Sequence, residues 1–450
     1  MRIRTAIVPA LAAAIGLGTV LLAGSPAMAG GSPGGPPAST TRPVGAVFVG
    51  TNHNNSTDPS QPANQVVMYR RGNDGTLTKA GVFDTGGQGS GPSQRFAGDG
   101  LGAGESVRLS EDQRWLFVAN AGSNSVSVFR VHPDRLELTD VEPTGDGSAG
   151  RRFPNSVAQH DDLVYVLNSA DQGSITGFRL TTRGKLVRIP GSTRELAANQ
   201  QRFTPDPLYD PAQVSFTPDG SRLVVSIKDG PDPALAPGTE ATGPGRILTF
   251  AVDPSGRPAN TFVRTDFGHR GPFGFSFDRR GNLLVGEFVG GPVEDVGGVT
   301  SITGAAGSYR INRDGTLTPI TPGVPDHQLD TCWLVNNGRY AFGANYSSGT
   351  VSSYRVGPNG ALTLLNPVAG TTEHPGNVQG STPLDSRVSP DGTFLYVVLP
   401  GSGRVAGWQI RDDGSLRKVG EFGGLPQTVN GDQAPVDFGA GGSPAGIAVI

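Results

Sequence analysis

The sequence predicts an all-β fold, a seven-bladed β-propeller built from four-stranded antiparallel blades. Three observations carry that prediction. The 450 residues include 68 Gly and 37 Pro with 17% charged side chains, a turn-rich composition that suits many short strands and few long helices. One short strand recurs seven times, as "AVFVGT" from Ala46, "WLFVAN" from Trp115, "LVYVLN" from Leu163, "RLVVSI" from Arg222, "NLLVGE" from Asn282, "YAFGAN" from Tyr340 and "FLYVVL" from Phe394. A second strand follows each copy and always carries an aromatic, in turn Tyr69, Phe129, Phe178, Phe250, Tyr309, Tyr354 and Trp408.

In chain order, Met1 to Ala29 reads as an export signal. Arg2 and Arg4 precede an apolar run from Ala6 to Ala23, and Ala27-Met28-Ala29 satisfies the small-residue rule for cleavage after Ala29. Pro9, Gly16 and Gly18 argue against a retained membrane anchor. Residues 30–43, "GGSPGGPPASTTRP", are expected to form a disordered Gly/Pro/Ser linker, and the propeller to occupy 44–450. The expected location is therefore secreted, with no membrane association once the signal is removed. Cys332 is the single cysteine, so no disulfide forms within the chain, and its surroundings "TCWLV" read as a buried strand. The formal net charge is -3, and loss of Arg2 and Arg4 makes the mature chain more acidic. With no basic stripe in the sequence to neutralise phosphates, nucleic acid is not an expected partner.

Within each unit the second strand runs into a hairpin turn, as in "NDGTL", "TRGKL", "RDGTL", "PNGAL" and "DDGSL", with "HPDRL" and "DPSGRP" as variants. Asp-Gly and Asn-Gly supply the positive backbone torsions such turns need. A further short strand precedes the first, in "SVRLSEDQ", "QVSFTPDG", "FSFDRRG" and "DSRVSPDG". Each unit is thus four strands, A to D, and Phe117 and Tyr165 at equivalent positions lie 48 residues apart. Repeats of that size and content are propeller blades. The first unit begins at strand B, and "SPAGIAVI", Ser443 to Ile450, supplies the missing A strand, closing the ring. An open solenoid is the structural alternative.

In a propeller the A–B and C–D turns share one face, and the B–C and D–A connections share the other. The second set is long here, at residues 51–65, 86–104, 195–212, 228–245, 287–307 and 429–444, so that face is the expected binding face. His53, His269, His327 and His374 map to it, while His132 and His160 fall opposite. Charged residues there are candidates for general acid, general base or carboxylate clamp, notably the adjacent pairs His269-Arg270 and Glu373-His374. Arg108 and Arg387 hold equivalent places in strand A, which lines the channel, and suit either an anionic ligand or channel-lining ion pairs. "GDGLGAG", Gly98 to Gly104, lacks the strand and helix of a dinucleotide site and reads as a loop. No metal-site or cofactor motif occurs, and the expectation is a monomer that binds a small-molecule ligand without cofactor.

The units "SPDGTFLYVVLPGSGRVAGWQIRDDGSL" and "SEDQRWLFVANAGSNSVSVFRV" resemble the seven-bladed lactonase family of 6-phosphogluconolactonase-like and 3-carboxymuconate-cyclase-like proteins, over Val44 to Ile450. The resemblance implies hydrolysis of a sugar or muconate lactone, or the reverse ring closure, at the loop-side mouth of the channel. Active members carry a His-containing segment entering one A strand, a Gly-Pro-Arg-His segment entering a later one, and a Glu after a B strand. Here the entries read "GAGESV", "YDPAQV" and "RGPFGF", without the Arg-His pair, and Glu287 in "LVGEF" lies within a residue of the family-like glutamate. A hydrolase would need a base to activate water and a cation for the developing oxyanion. Glu287 or His269 is the expected base, Arg270 or Lys228 the cation, with Arg108, Arg387, His327, Glu373 and His374 as ligand contacts. The alternative is a non-catalytic extracellular propeller that binds a ligand or another protein.

Overall fold

Among the described residues seven antiparallel sheets follow one another along the chain, each ordered from an inner strand A to an outer strand D; six have four strands, and in blade 3 the outer place is shared by Leu186–Arg188 and Arg194–Glu195. The structure, a computed structural model, describes residues 43–92, 98–145, 151–198, 209–229, 244–269, 271–374, 380–428 and 441–450. The expected signal, and all but the last residue of the expected linker, lie outside the described residues. For blades 1 to 7 the inner strands are Ala445–Val449, Val107–Leu109, Pro154–His160, Pro211–Phe216, Pro272–Phe277, Thr331–Asn336 and Ser386–Val388. Each packs beside the next, and that of blade 7 meets that of blade 1, so the ring is closed. Blade 1 joins the two ends of the ring: Val47, Phe48 and Val49 pair with Val449, Ala448 and Ile447.

The core lies between blades. Val224, Ile247, Phe275, Leu283, Val285 and Leu317 form one such layer between blades 4 and 5, and the seven strand-C aromatics are all buried. Each buried side chain of this size contributes about 1.5–3 kcal/mol relative to exposure. On the short-turn face, C–D turns latch onto the preceding blade: the hydroxyls of Tyr396, Tyr165 and Tyr340 donate to the carbonyls of Gly75, Gly256 and Asp412 at 2.8, 2.6 and 2.5 Å. Gly414 in one such turn has φ of 85°, and a Cβ there would lie 2.5 Å from the Tyr340 ring.

On the long-loop face a second device recurs at the last position of strand B. Asn120, Asn168 and Asn345 each donate from Nδ2 to a hydroxyl on strand C, of Ser127, Ser174 and Ser352 at 2.7, 3.3 and 2.8 Å. Their amide oxygens accept from Thr85, Thr144 and Thr331. These clasps satisfy polar groups that burial would otherwise leave unpaired. Strand B of blade 5, Leu283–Glu287, ends at the same position with Glu287 in place of asparagine.

One element departs from the sequence reading. Residues 287–307, expected as a loop, contain an exposed antiparallel hairpin, Val293–Val296 with Val299–Ile302. Alternation there is short and both faces are solvated, so no buried stripe marks it. Cys332 is buried in the inner strand of blade 6, where burial raises its thiol well above the usual value. Among the described residues no helix is long and apolar enough to cross a membrane.

Candidate functional site

Strand alternation puts Leu283, Val285 and Glu287 on the side of blade 5 that faces blade 4. Glu287 is fully buried there. Its Oε1 accepts the Tyr309 hydroxyl at 2.9 Å, and its Oε2 lies 2.8 Å from Nε2 of His269. A Cβ at position 307 would come within 2.2 Å of Oε1, so the carboxylate fits only because Gly307 stands opposite it. His269, on the loop entering blade 5, is 31% exposed; its carbonyl accepts the Gly245 amide at 3.0 Å and its ring meets the edge of Phe267. Burial, and then the Glu287 charge, push the Tyr309 hydroxyl far above its ordinary value, so it stays a proton donor to the carboxylate. The result is a phenol, a buried carboxylate and a part-exposed imidazole in series. A carboxylate behind an imidazole fixes its tautomer and orientation and stabilises its protonated form.

Lys228 does not join this pair. It aligns with Phe288, one residue beyond Glu287 in the repeat, and the alternation that sets Val224 and Ser226 against blade 5 carries it on past strand B to the inner strand of blade 5 and the loop that holds Gly102. It is fully buried, donates from Nζ to the Gly102 carbonyl, and lies 4.6 Å from the centroid of the Phe273 ring. Arg270 lies outside the described residues.

Gly102 belongs to the "GDGLGAG" loop, and this loop closes the channel mouth. The Gly100 amide donates to Ser443 of the blade 1 connection at 2.9 Å, and the Gly104 amide to the Ala212 carbonyl of blade 4 at 3.1 Å. Trp333 Nε1 of blade 6 donates to the Ala103 carbonyl at 3.0 Å, and the Glu105 amide to Asp385, at the entry to blade 7, at 3.2 Å. Leu101 and Ala103 pack with Phe153, Phe273, Trp333 and Leu384, an apolar stopper on the channel axis. Burial raises the Asp99 carboxyl to about 6 against the pull of the Gly102 amide and Lys228.

Beneath the stopper, Arg108 and Arg387 converge on one carboxylate. Arg108 donates to Glu105 Oε2 at 2.7 Å and Arg387 donates to the same atom. Burial alone would raise Glu105, but the two guanidinium groups outweigh it and hold the acid at about 2. Asp385 is pushed up to about 8, first by burial and further by Glu105, against the pull of Arg387. Of the two roles open to these arginines, the geometry realises channel-lining ion pairs. The remaining candidates stand elsewhere: His327 is exposed and pairs with Glu294 of the blade 5 hairpin at 2.9 Å, Glu373 pairs with Arg404 at 3.2 Å, and His374 is exposed. None of them hydrogen-bonds to His269 or Glu287 among the described residues.

Tyr309 and the 98–105 loop escape sequence reasoning as site residues. Tyr309 is one of seven strand-C aromatics and looks like all the others. The signal for its role lay at Glu287, the acid in a position where three sister blades carry asparagine.

Comparison with known proteins bears on the fold and the family. A family model described as Lactonase, 7-bladed beta-propeller matches residues 62–195 and 296–429. Staphylococcus aureus proteins of uncharacterised function are 31% identical over 90 residues, a match that spans 25% of their length and 20% of this chain. Among solved structures, a periplasmic gluconolactonase of Pseudomonas aeruginosa aligns with TM-score 0.60 at 18% identity, covering 90% of this chain and 99% of that one. A Lactobacillus plantarum protein aligns with TM-score 0.58 at 14% identity, covering 90% and 99%. At such identities the structural likeness speaks for the fold, and the family match, which takes in more than half of the residues, speaks for descent. The chain belongs to the lactonase family of seven-bladed β-propellers.

Proposed function

We propose that the protein is a lactonase-type hydrolase that opens a small sugar or muconate-type lactone at the crevice between blades 4 and 5, with His269 as general base. The observation that carries this reading is the 2.8 Å contact between part-exposed His269 and buried Glu287. With Nε2–H donated to the carboxylate, Nδ1 takes a proton from water as the water oxygen attacks the lactone carbonyl carbon. The tetrahedral intermediate then breaks its bond to the ring oxygen, and the imidazolium returns the proton to the departing alkoxide. Glu287 holds the imidazolium between these steps, which makes it the positioning residue and leaves His269 as the base. Arg270, next in sequence to the base, is the proposed cation for the oxyanion. The gluconolactonase among the structural neighbours supports a lactone as the substrate class.

The test is turnover of gluconolactone, 6-phosphogluconolactone and muconolactone by the purified protein. His269→Ala and Glu287→Gln should each lower kcat/KM by about 10²–10⁴. Equal turnover in wild type and both variants would discard the pair. One observation favours a second reading, a binding propeller without a catalyst: the 98–105 loop fills the channel mouth. Saturable binding of a sugar acid or lactone with no turnover of any would select it.

A further inference from the structure

On the short-turn face, opposite the long loops, a cleft of about 610 Å³ opens between blades 4 and 5. Its walls are the A–B turns of both blades and the C–D turn of blade 5, and they bring together Arg222, Arg279, Arg280 and Arg313. Arg222 donates to the Arg313 carbonyl, and Arg279 reaches the Asn337 carbonyl at 3.5 Å. None of the four is in an ion pair among the described residues. Of the other exposed arginines some pair with carboxylates, as in Arg179–Asp162, Arg264–Asp266 and Arg404–Glu373, and others, such as Arg257 and Arg411, do not among the described residues; what marks these four is that one cleft gathers them.

The one acid lining the cleft is Asp219, and its Oδ1 is engaged by the Thr217 hydroxyl, the Ser221 amide and the Ser221 hydroxyl. Asp314, beside Arg313 on the C–D turn of blade 5, is held by the hydroxyl and amide of Thr316, and Arg222 also lowers its carboxyl. Four arginines thus line the recess, Arg279 with its guanidinium directed to the blade 6 carbonyl of Asn337, around one tied-down lining carboxylate, on a chain whose net charge is -3. Arginine presents a planar fork that matches phosphoryl oxygens two at a time, and like charges gathered in a concave site raise the local concentration of anions.

We propose that this cleft is a binding site for a small oligophosphate, an anion whose several charges match the excess of guanidinium groups. It stands on the opposite face from His269 and Glu287, and its readout needs no turnover.

The experiment is calorimetric titration of the full chain at low salt with tripolyphosphate, pyrophosphate and orthophosphate, for wild type and for the double variant Arg280→Ala, Arg313→Ala. Both residues are exposed, so the fold should survive, and circular dichroism and the melting temperature of the variant check that it does. Single-site binding of tripolyphosphate by wild type, tighter than that of orthophosphate, is expected, with a loss of about tenfold or more in the double variant. Asp219→Asn, which removes the one lining acid, should tighten binding. Absence of saturable binding by wild type, or equal affinity in a folded double variant, would overturn the proposal.

Discussion

Asp385 and Glu105 lie in one channel cluster, linked through the Glu105 amide and through Arg387, yet they respond to burial in opposite ways. Glu105 has two arginines and stays ionised to about pH 2, whereas Asp385 has only a share of one and holds its proton up to about pH 8. In the unfolded chain Asp385 would lose that proton near 3.8, so between these values folding takes up a proton, and raising the pH through the interval costs stability. Asp99, raised to about 6, acts in the same sense over the lower part of the window. Asp385→Asn replaces the acid with a permanently neutral group of the same shape. Its melting temperature should therefore fall less than that of wild type between pH 5 and pH 9, with the two curves meeting at the acid end. Parallel curves in a fluorimetric melt across that range would show that Asp385 is ionised throughout.

At the scale of strands and turns, stability depends on how each blade grips the one before it. The C–D turn of blade 7 lies against Tyr340 of blade 6, with Gly414 at φ of 85° and no room for a side chain. Gly414→Ala should cost about 1–3 kcal/mol, from torsional strain and the displaced ring together, read as a lower urea midpoint at unchanged m-value. Such turns were legible in the sequence because Asp-Gly and Asn-Gly announce them, and the strands were legible because burial on both faces leaves apolar runs with an aromatic anchor. The hairpin at Val293–Ile302 was not, since nothing in it is buried. Both Glu287 and His269 could be named from the chain, but their contact could not. It is set by the angle between blades 4 and 5, and Lys228, on the blade 4 side of the same interface, is taken inward instead by the Gly102 carbonyl. The 98–105 loop was recognisable as irregular, yet its partners come from blades that adjoin it only after the ring has formed. The arginine cleft was hidden for a like reason: its four residues are scattered through three turns, so no run of basic sequence reveals it.

For the molecule as a whole, closure decides whether the other interfaces persist. With strand A of blade 1 absent, Val47, Phe48 and Val49 would present an unpaired edge, and the layers that Phe48 shares with blade 2 and that Val47 and Val49 share with blade 7 would open to water. Deleting Gly446–Ile450 should therefore give a protein that aggregates or elutes as higher oligomers in size-exclusion chromatography. A soluble, equally stable monomer would mean that the ring tolerates an open seam.

The pairing of Pro43–Gly50 with Ala445–Val449 also sets a clock on biogenesis. A ribosome delivers the first of these segments early and the second only after six further blades have been made. During synthesis the opening β-structure must wait with its hydrogen-bonding groups uncovered, while each later blade can dock on its predecessor as it emerges. Folding is completed after Val449 has left the ribosome, and until then the nascent chain offers chaperones an unfinished circle to hold.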